Sequence, residues 1–426
     1  MTGGGLQQPV SRPGTGWIHR LGPSGWSVLG VTMLFWMFDG YETFAVLITG
    51  GTSLHELLPG SALPSLPRYF GYLVAITLAG WTIGGVLGGF AGDRLGRRRT
   101  MIWAVVVYGV FTGFSALSSS WEMLAGTRFL TGIGIGAEWA VGTSLLQEVL
   151  PSDARTKSAG LLQGTFSVGG LAVSALWILF NSTFDVSWRY VYLVGVIPAL
   201  LVVLLRRVIP ESRRWSTQRP QATMSLLRRL AEPALRRRMA LALLVSVAIT
   251  VGFWASSSYL PAYVGALAPG AKVGLYTGWA AALYNIGEIA GCIIFGFWAE
   301  RWGRRGTAVA YFVGALVIMP VVFLVVHHVS VAVLLQLVAG YATGGIFSWY
   351  TIHTPELFPT EVRASAIGVI FNLTRILALI GALLTGSLAA LLGGVGNTAA
   401  IASSVYVLGI VAVLLLPETK GRPLPP

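Results

Sequence analysis

Six ionisable residues stand inside long apolar stretches where no charge is needed to face water: Asp39, Glu42, Arg128, Glu138, Glu288 and Arg375. A charge at the centre of a bilayer costs at least about 2.5 kcal/mol, which makes each of them a functional candidate by default. Two chemistries suit this set. A guanidinium with no acidic neighbour in sequence, as at Arg375, can hold a carboxylate by two parallel hydrogen bonds, and Arg128 is a second cation for the same anion. Carboxyl groups withdrawn from water favour the neutral form, so Asp39, Glu42 and Glu138 are candidates to take up and release a proton. For each carboxylate the competing role is that of fixed partner to Arg128.

Spacing refines the picture. Asp39 and Glu42 fall on adjacent turns of one helix face, with Arg128 at similar depth on another helix and Glu138 ten residues further along it. At a rise of about 1.5 Å per residue, all four lie within the membrane. Asn285 precedes Glu288, and Asn372 precedes Arg375, each by three residues. A polar group one turn from a charge at mid-depth marks a wet face. Tyr284 and Trp254 could stack on a ring-bearing solute. The candidate binding set is therefore Arg375, Arg128, Asn372, Asn285, Glu288, Tyr284 and Trp254, and the competing structure is an Arg375 to Glu288 bridge between helices.

The elements that position these groups are legible from composition. Of 426 residues, 54% are hydrophobic and only 11% charged, where a soluble globule needs about 25% charged residues to cover its surface. Twelve apolar windows are long enough to cross a bilayer as helices. They run from Ser27 to Gly50, Tyr69 to Ala91, Met101 to Leu117, Met123 to Leu146, Ala159 to Phe180 and Tyr190 to Leu205. The second six run from Met239 to Leu267, Leu275 to Trp298, Thr307 to Val326, Val329 to His353, Ala364 to Leu392 and Thr398 to Leu416. Continuous apolarity excludes the alternating segments of membrane barrels, and the fold class is all-α with twelve transmembrane helices.

Twelve crossings put both termini on one side. The loops and tails of that side carry 24 of the Lys and Arg residues, against Arg68, Arg189 and Lys272 opposite. This excess predicts cytoplasmic termini in a bacterial inner membrane. It also accounts for the net charge of +13 without a nucleic-acid partner, although ten arginines gather between Arg206 and Arg238. Cys292 is the single cysteine, so no internal disulfide can form. No P-loop, metal-ligand cluster or nucleophile elbow appears, so neither an enzyme nor a cofactor is expected.

The chain repeats itself. GFAGDRLGRR from Gly89 recurs as GFWAERWGRR from Gly296, and PESRRW from Pro210 as PETKGR from Pro417, both at offset 207. Glu148, Pro151, Arg155 and Gly160 recur as Glu356, Pro359, Arg363 and Gly368 at offset 208. The expected organisation is a tail (1–25), a six-helix half (26–208), an Arg-rich linker (209–238), a second half (239–416) and a tail (417–426), with the halves about a pseudo-twofold axis. Small Gly89 and Gly296 let helices approach closely. Asp93, Arg94, Arg97, Glu148 and Arg155, with their counterparts Glu300, Arg301, Arg304, Glu356 and Arg363, are expected to latch the halves through ion pairs at helix ends. The six intramembrane charges are not duplicated: their counterparts are Ser246, Ile249, Gln336, Ile346, Trp81 and Ser167.

These motifs carry a resemblance. GFAGDRLGRRR and RFLTGIGIG resemble the signature loop and fourth-helix motif of the major facilitator superfamily, and PESRRW and PETKG look like its half-closing motifs. FDGYE from Phe38 to Glu42 is similar to the first-helix element of its carboxylate symporters, and GAEW from Gly136 to Trp139 to a fourth-helix element of the sialate and lactate group. The resemblance covers nearly the whole chain. It implies proton-coupled symport of a small organic anion by alternating access, with Asp39, Glu42, Arg128 and Glu138 at the matching positions. The partners it implies are a small organic anion, protons and the lipid bilayer, with a monomer as the default state. Paired glutamines of sugar carriers are absent between Ser246 and Tyr263, which makes a sugar or other neutral solute the second reading and a non-transporting receptor or scaffold the third.

Overall fold

The computed structural model describes residues 17–179, 187–217, 223–255, 257–269, 273–377 and 391–425. The far part of the eleventh expected window, and Arg12, Arg219 and Lys272 of the charge count, lie outside these residues. Among the described residues, ten helices are long and apolar enough to cross a membrane. The sixth crossing is a shorter pair, Arg189–Val194 and Ile197–Leu205, parted where Pro198 follows Gly195 and removes a backbone donor. The eleventh begins as Arg363–Leu373. The order and placement are those of the twelve-helix fold read from the sequence.

Several segments depart from simple rods. The tenth crossing runs as Val329–Ala339, a π-helical stretch Gly340–Gly344, a short 3-10 turn Gly345–Phe347, and Ser348–Leu357. Such wide turns recur at functional sites; here glycines let the helix pass close to Tyr284, Glu288 and Gly291 of the eighth crossing, Val273–Trp302. The Arg-rich linker forms two short helices, Arg213–Ser216 and Thr223–Leu230. Its arginines also make contacts: Arg229 Nε donates to Glu361 at 2.5 Å, and Arg238 to the Leu357 carbonyl at 3.0 Å.

The halves meet along two seams. The second crossing, Leu66–Leu95, packs on the eleventh, and the fifth, Arg155–Ile178, packs on the eighth. Both seams are glycine contacts. A Cβ on Gly89 would stand 2.5 Å from the Ala364 carbonyl oxygen, and one on Gly296 would stand 2.6 Å from that of Thr156. These are pseudo-equivalent approaches, and no side chain fits either.

Ion pairs seal the same side. Asp93 accepts from the Ala364 and Ser365 amides at 3.2 and 2.7 Å, capping the eleventh crossing from the opposite half. Arg97 pairs with Asp93 at 2.8 Å and Glu148 at 3.2 Å, and Glu148 reaches Arg363 at 2.6 Å. Arg97 also donates to the Thr360 carbonyl at 2.7 Å. In the second repeat Arg304 pairs with Glu356 at 2.6 Å inside its own half, while Glu300 reaches Lys157 across the seam at 2.8 Å. Arg155 is buried and donates to its neighbour Leu150 at 2.9 Å, and Arg94 and Arg301 are exposed. The Asp93 cluster is out of water, whereas Glu300 keeps 37% of its side chain exposed.

The repeated PES and PET motifs have a local job. Glu211 accepts from the Arg97 and Arg98 amides and Glu418 from those of Arg304 and Arg305. Each carboxylate caps the third helix of its own half, where Gly96 and Gly303 turn the chain with φ of 105° and 91° that side chains avoid. Both described ends of the chain lie on this side: Arg20 pairs with Asp153, and Arg363 donates to the Pro425 carbonyl.

A prediction follows for the seal. Asp93→Asn keeps the shape but removes the charge that holds Arg97, and the native thiol reports the result, because Cys292 is buried where Gly160 meets the eighth crossing. Maleimide labelling of Cys292 is expected to accelerate by about tenfold, for a loss near 1.4 kcal/mol of closure. An unchanged rate would show that the seal does not depend on this pair.

Candidate functional site

Between the two seams lies a cavity of about 350 Å³. It takes Trp36 and Phe44 from the first crossing, Gly22–Leu57, Trp81 from the second, and Gln163 and Phe166 from the fifth. The other half contributes Phe253 and Trp254, Tyr284, Asn285 and Glu288, Gln336 and Phe347, and Phe371 and Arg375. Both halves therefore build one site, with aromatic walls and few polar groups, as small-molecule sites are built.

Arg375 is the centre of its polarity. Its guanidinium carbon lies 3.6 Å from the Trp81 ring centroid and 4.4 Å from that of Phe371. Stacking of this kind holds the plane of the fork while leaving its edge free. No ion pair joins Arg375 to Glu288 or to another acid among the described residues. Its Nη1 has no hydrogen-bond acceptor among them, and the same holds for the indole N–H groups of Trp36 and Trp81. Three buried donors around one cavity lack an acceptor, and buried donors ordinarily have one.

The sequence candidates divide. Arg375, Asn285, Glu288, Tyr284 and Trp254 line the cavity. Arg128 does not: it is fully buried, pairs with Glu42 at 2.9 Å and donates to the Glu42 carbonyl at 3.1 Å. The Thr112 hydroxyl donates to the same Glu42 carboxylate at 2.9 Å, and Tyr192 presents its ring to the guanidinium at 5.2 Å. Of the two carboxylates within reach of Arg128, the structure gives it Glu42. Asn372 is also away from the cavity, its side chain against Gly85 and its amide donating to Gly368 at 2.9 Å.

Asp39 and Glu138 are left together. Both are buried, their carboxyl groups are close enough to interact, and neither oxygen of Asp39 has a hydrogen-bond partner among the described residues. Asp39 also lies within electrostatic reach of Arg375, and the Tyr108 ring is beside the pair. Glu138 borders a small recess that shares Trp36 with the main cavity. Trp36 thus lines both the cavity and the recess at Glu138. The sequence did not single out Trp36, Trp81, Gln163 or Phe371; the signal at Trp81 was its place as the counterpart of Glu288.

The Arg128 to Glu42 pair makes a stability prediction. Arg128→Leu strands a buried carboxylate, and the cost is expected near 3 to 5 kcal/mol, read as a lower thermal midpoint in detergent. The double variant Arg128→Leu, Glu42→Gln should recover most of it. A single variant as stable as the parent would contradict a structural ion pair.

Two sets of helices, joined by seams on one side of a shared aromatic cavity, are the build of a membrane carrier. Over residues 55–247 the chain matches the Sugar (and other) transporter family, and over 270–426 the Major Facilitator Superfamily. It is 27% identical to the cis,cis-muconate transport protein of Acinetobacter baylyi over 91% of this chain and 96% of that one. It is 26% identical to the sialic acid transporter NanX of Escherichia coli, covering 84% and 86% of the two chains. Among solved structures, the proton:xylose symporter XylE superposes with a TM-score of 0.77 at 22% identity, over 94% of this chain and 97% of that one. Family models thus match both halves of the chain, and relatives named for muconate and sialic acid match it along most of its length. The chain is a multi-pass inner-membrane transporter and not an enzyme.

Proposed function

We propose that the chain carries a small carboxylate across the membrane together with protons, by alternating access of its two halves. The observation that carries this reading is Arg375: a guanidinium over the rings of Trp81 and Phe371 that lines the cavity and makes no ion pair among the described residues. Relatives named for muconate and sialic acid support the same class of cargo.

In this mechanism the cargo carboxylate binds Arg375 and the indole N–H groups of Trp36 and Trp81. The Asp39 and Glu138 pair holds the coupling proton, since two adjacent buried carboxyl groups repel each other when both are ionised. Electrostatic reach between Asp39 and Arg375 links the two events: an anion at Arg375 withdraws the cation's support from an ionised Asp39 and favours proton uptake. The moving bodies are residues 26–208 and 239–416, hinged through the linker 209–238, and the Asp93 and Glu300 clusters latch one end state. The sealed side, which carries the arginines and both tails, is assigned to the cytoplasm, so the state described here is closed inward.

The test is uptake into proteoliposomes of purified full-length protein. Labelled aromatic, sugar-derived and short-chain acids are expected to accumulate when the outside is more acidic, and to equilibrate without accumulation when the gradient is clamped. Accumulation of a neutral sugar instead would replace the carboxylate reading, and no uptake of any solute would favour a receptor or scaffold.

A further inference from the structure

The duplication pairs Trp81 with Glu288 and Ser167 with Arg375, at offsets 207 and 208. In the folded chain Arg375 lies on Trp81 across one seam, and Glu288 lies beside Ser167 across the other. The same contact between halves is thus made twice about the pseudo-twofold axis. One copy is a cation on an indole; the other is a carboxylate beside a hydroxyl. The cavity between the seams has a cationic end and, opposite it, an acceptor end.

The acceptor end is built. A Cβ on Gly344 would stand 2.5 Å from Glu288 Cγ, so the stem of Glu288 is held against the tenth crossing. No ion pair of Glu288 occurs among the described residues. Gln163 is 3% exposed, and its Oε1 has no donor among those residues. Asn285 spends its amide on the Ala281 carbonyl at 2.9 Å, which leaves its oxygen for a ligand. All three side chains line the cavity, and each presents an acceptor.

We propose that Glu288, with Gln163 and Asn285, selects cargo that carries a hydrogen-bond donor, a hydroxyl or amino group, at the end far from its carboxylate, and rejects a second carboxylate there. The inference rests on the reading of Arg375 as the carboxylate site. A donor on the cargo satisfies acceptors that an apolar end leaves unpaired, which is the strongest form of polar discrimination. A second carboxylate meets a cluster of acceptors with no cation paired to it among the described residues. Muconate, the cargo named for one relative, has that unfavourable shape for this cavity.

The experiment measures equilibrium binding of benzoate, 4-hydroxybenzoate, 4-methoxybenzoate and benzene-1,4-dicarboxylate to the full-length protein in nanodiscs. The hydroxy acid is expected to bind about tenfold tighter than the methoxy acid, and the dicarboxylate more weakly than benzoate. Glu288→Ala should bring the hydroxy to methoxy ratio within about twofold. Glu288→Gln, which keeps the volume packed against Gly344, should raise dicarboxylate binding relative to benzoate by about tenfold. If benzoate binds in an Arg375-dependent manner but the hydroxy and methoxy acids bind alike, or if both ratios are the same in parent and variants, this inference is overturned and the Arg375 reading stands. If neither benzoate nor the hydroxy acid binds the parent, both fall.

Discussion

Arg375→Ala is expected to remove carboxylate binding altogether, lowering affinity by on the order of 100-fold or more while the protein stays folded. The size follows from the setting: the guanidinium lies against Trp81 and Phe371, and its Nη1 has no acceptor among the described residues. No ion pair occupies the fork among those residues, although Asp39 lies within its electrostatic reach. The same setting predicts an unusual companion result. Burial of an unpaired cation costs free energy that its removal returns, so the thermal midpoint of the cargo-free variant should equal or exceed that of the parent. Arg375→Lys should not restore binding, because a point charge on a flexible stem neither stacks on Trp81 nor offers two parallel donors. Tight binding by Arg375→Ala would remove this residue from the site, and a collapse of stability would make it a structural cation.

Asp39→Asn is expected to abolish proton-driven accumulation while leaving exchange. With one proton per cycle, a pH difference of one unit supports about tenfold accumulation; in the variant the ratio should fall to about one. An asparagine amide can still donate to Glu138, so the packing around Tyr108 is kept and only the titrating group is lost. Counterflow, the exchange of labelled for unlabelled acid across the same membrane, should persist because it needs no net proton movement. Glu138→Gln should behave alike if the two carboxyls act as one unit. Full accumulation in both variants would take the pair out of coupling and leave Glu42 as the remaining candidate, whose pairing with Arg128 argues against it.

These two expectations rest unevenly on the sequence. That Asp39, Glu42, Glu138, Arg128, Glu288 and Arg375 are special was visible in the linear chain, because a charge inside an apolar window has no cheap explanation. Which of them meet was not visible. Asp39 and Glu42 are three residues apart, yet one is paired with Glu138 and the other with Arg128. Helical spacing puts them on similar faces; only the rotation of the first crossing against the third and fourth separates their partners. The same holds for Asn372, whose place one turn from Arg375 suggested the cavity but whose side chain is turned onto Gly85.

The duplicated motifs divide in the same way. Repetition at a nearly constant offset told that Asp93 and Glu300, or Arg363 and Arg155, occupy equivalent places. It could not tell that Glu148 bridges to Arg363 while Glu356 stays within its own half. Pseudo-symmetry of sequence fixes the type of contact, and small differences in seam geometry decide which charges complete it.

The chain by itself determined its solvent, its twelve crossings, its two related halves and the identity of the costly charges, because lipid imposes length and polarity on every segment independently of its neighbours. Tertiary structure alone decided the pairing of those charges, the aromatic bed under Arg375 and the place of Trp36 on both the cavity and the recess at Glu138. Those features depend on the rotation and approach of helices distant in sequence, and hydrophobic periodicity contains no record of either.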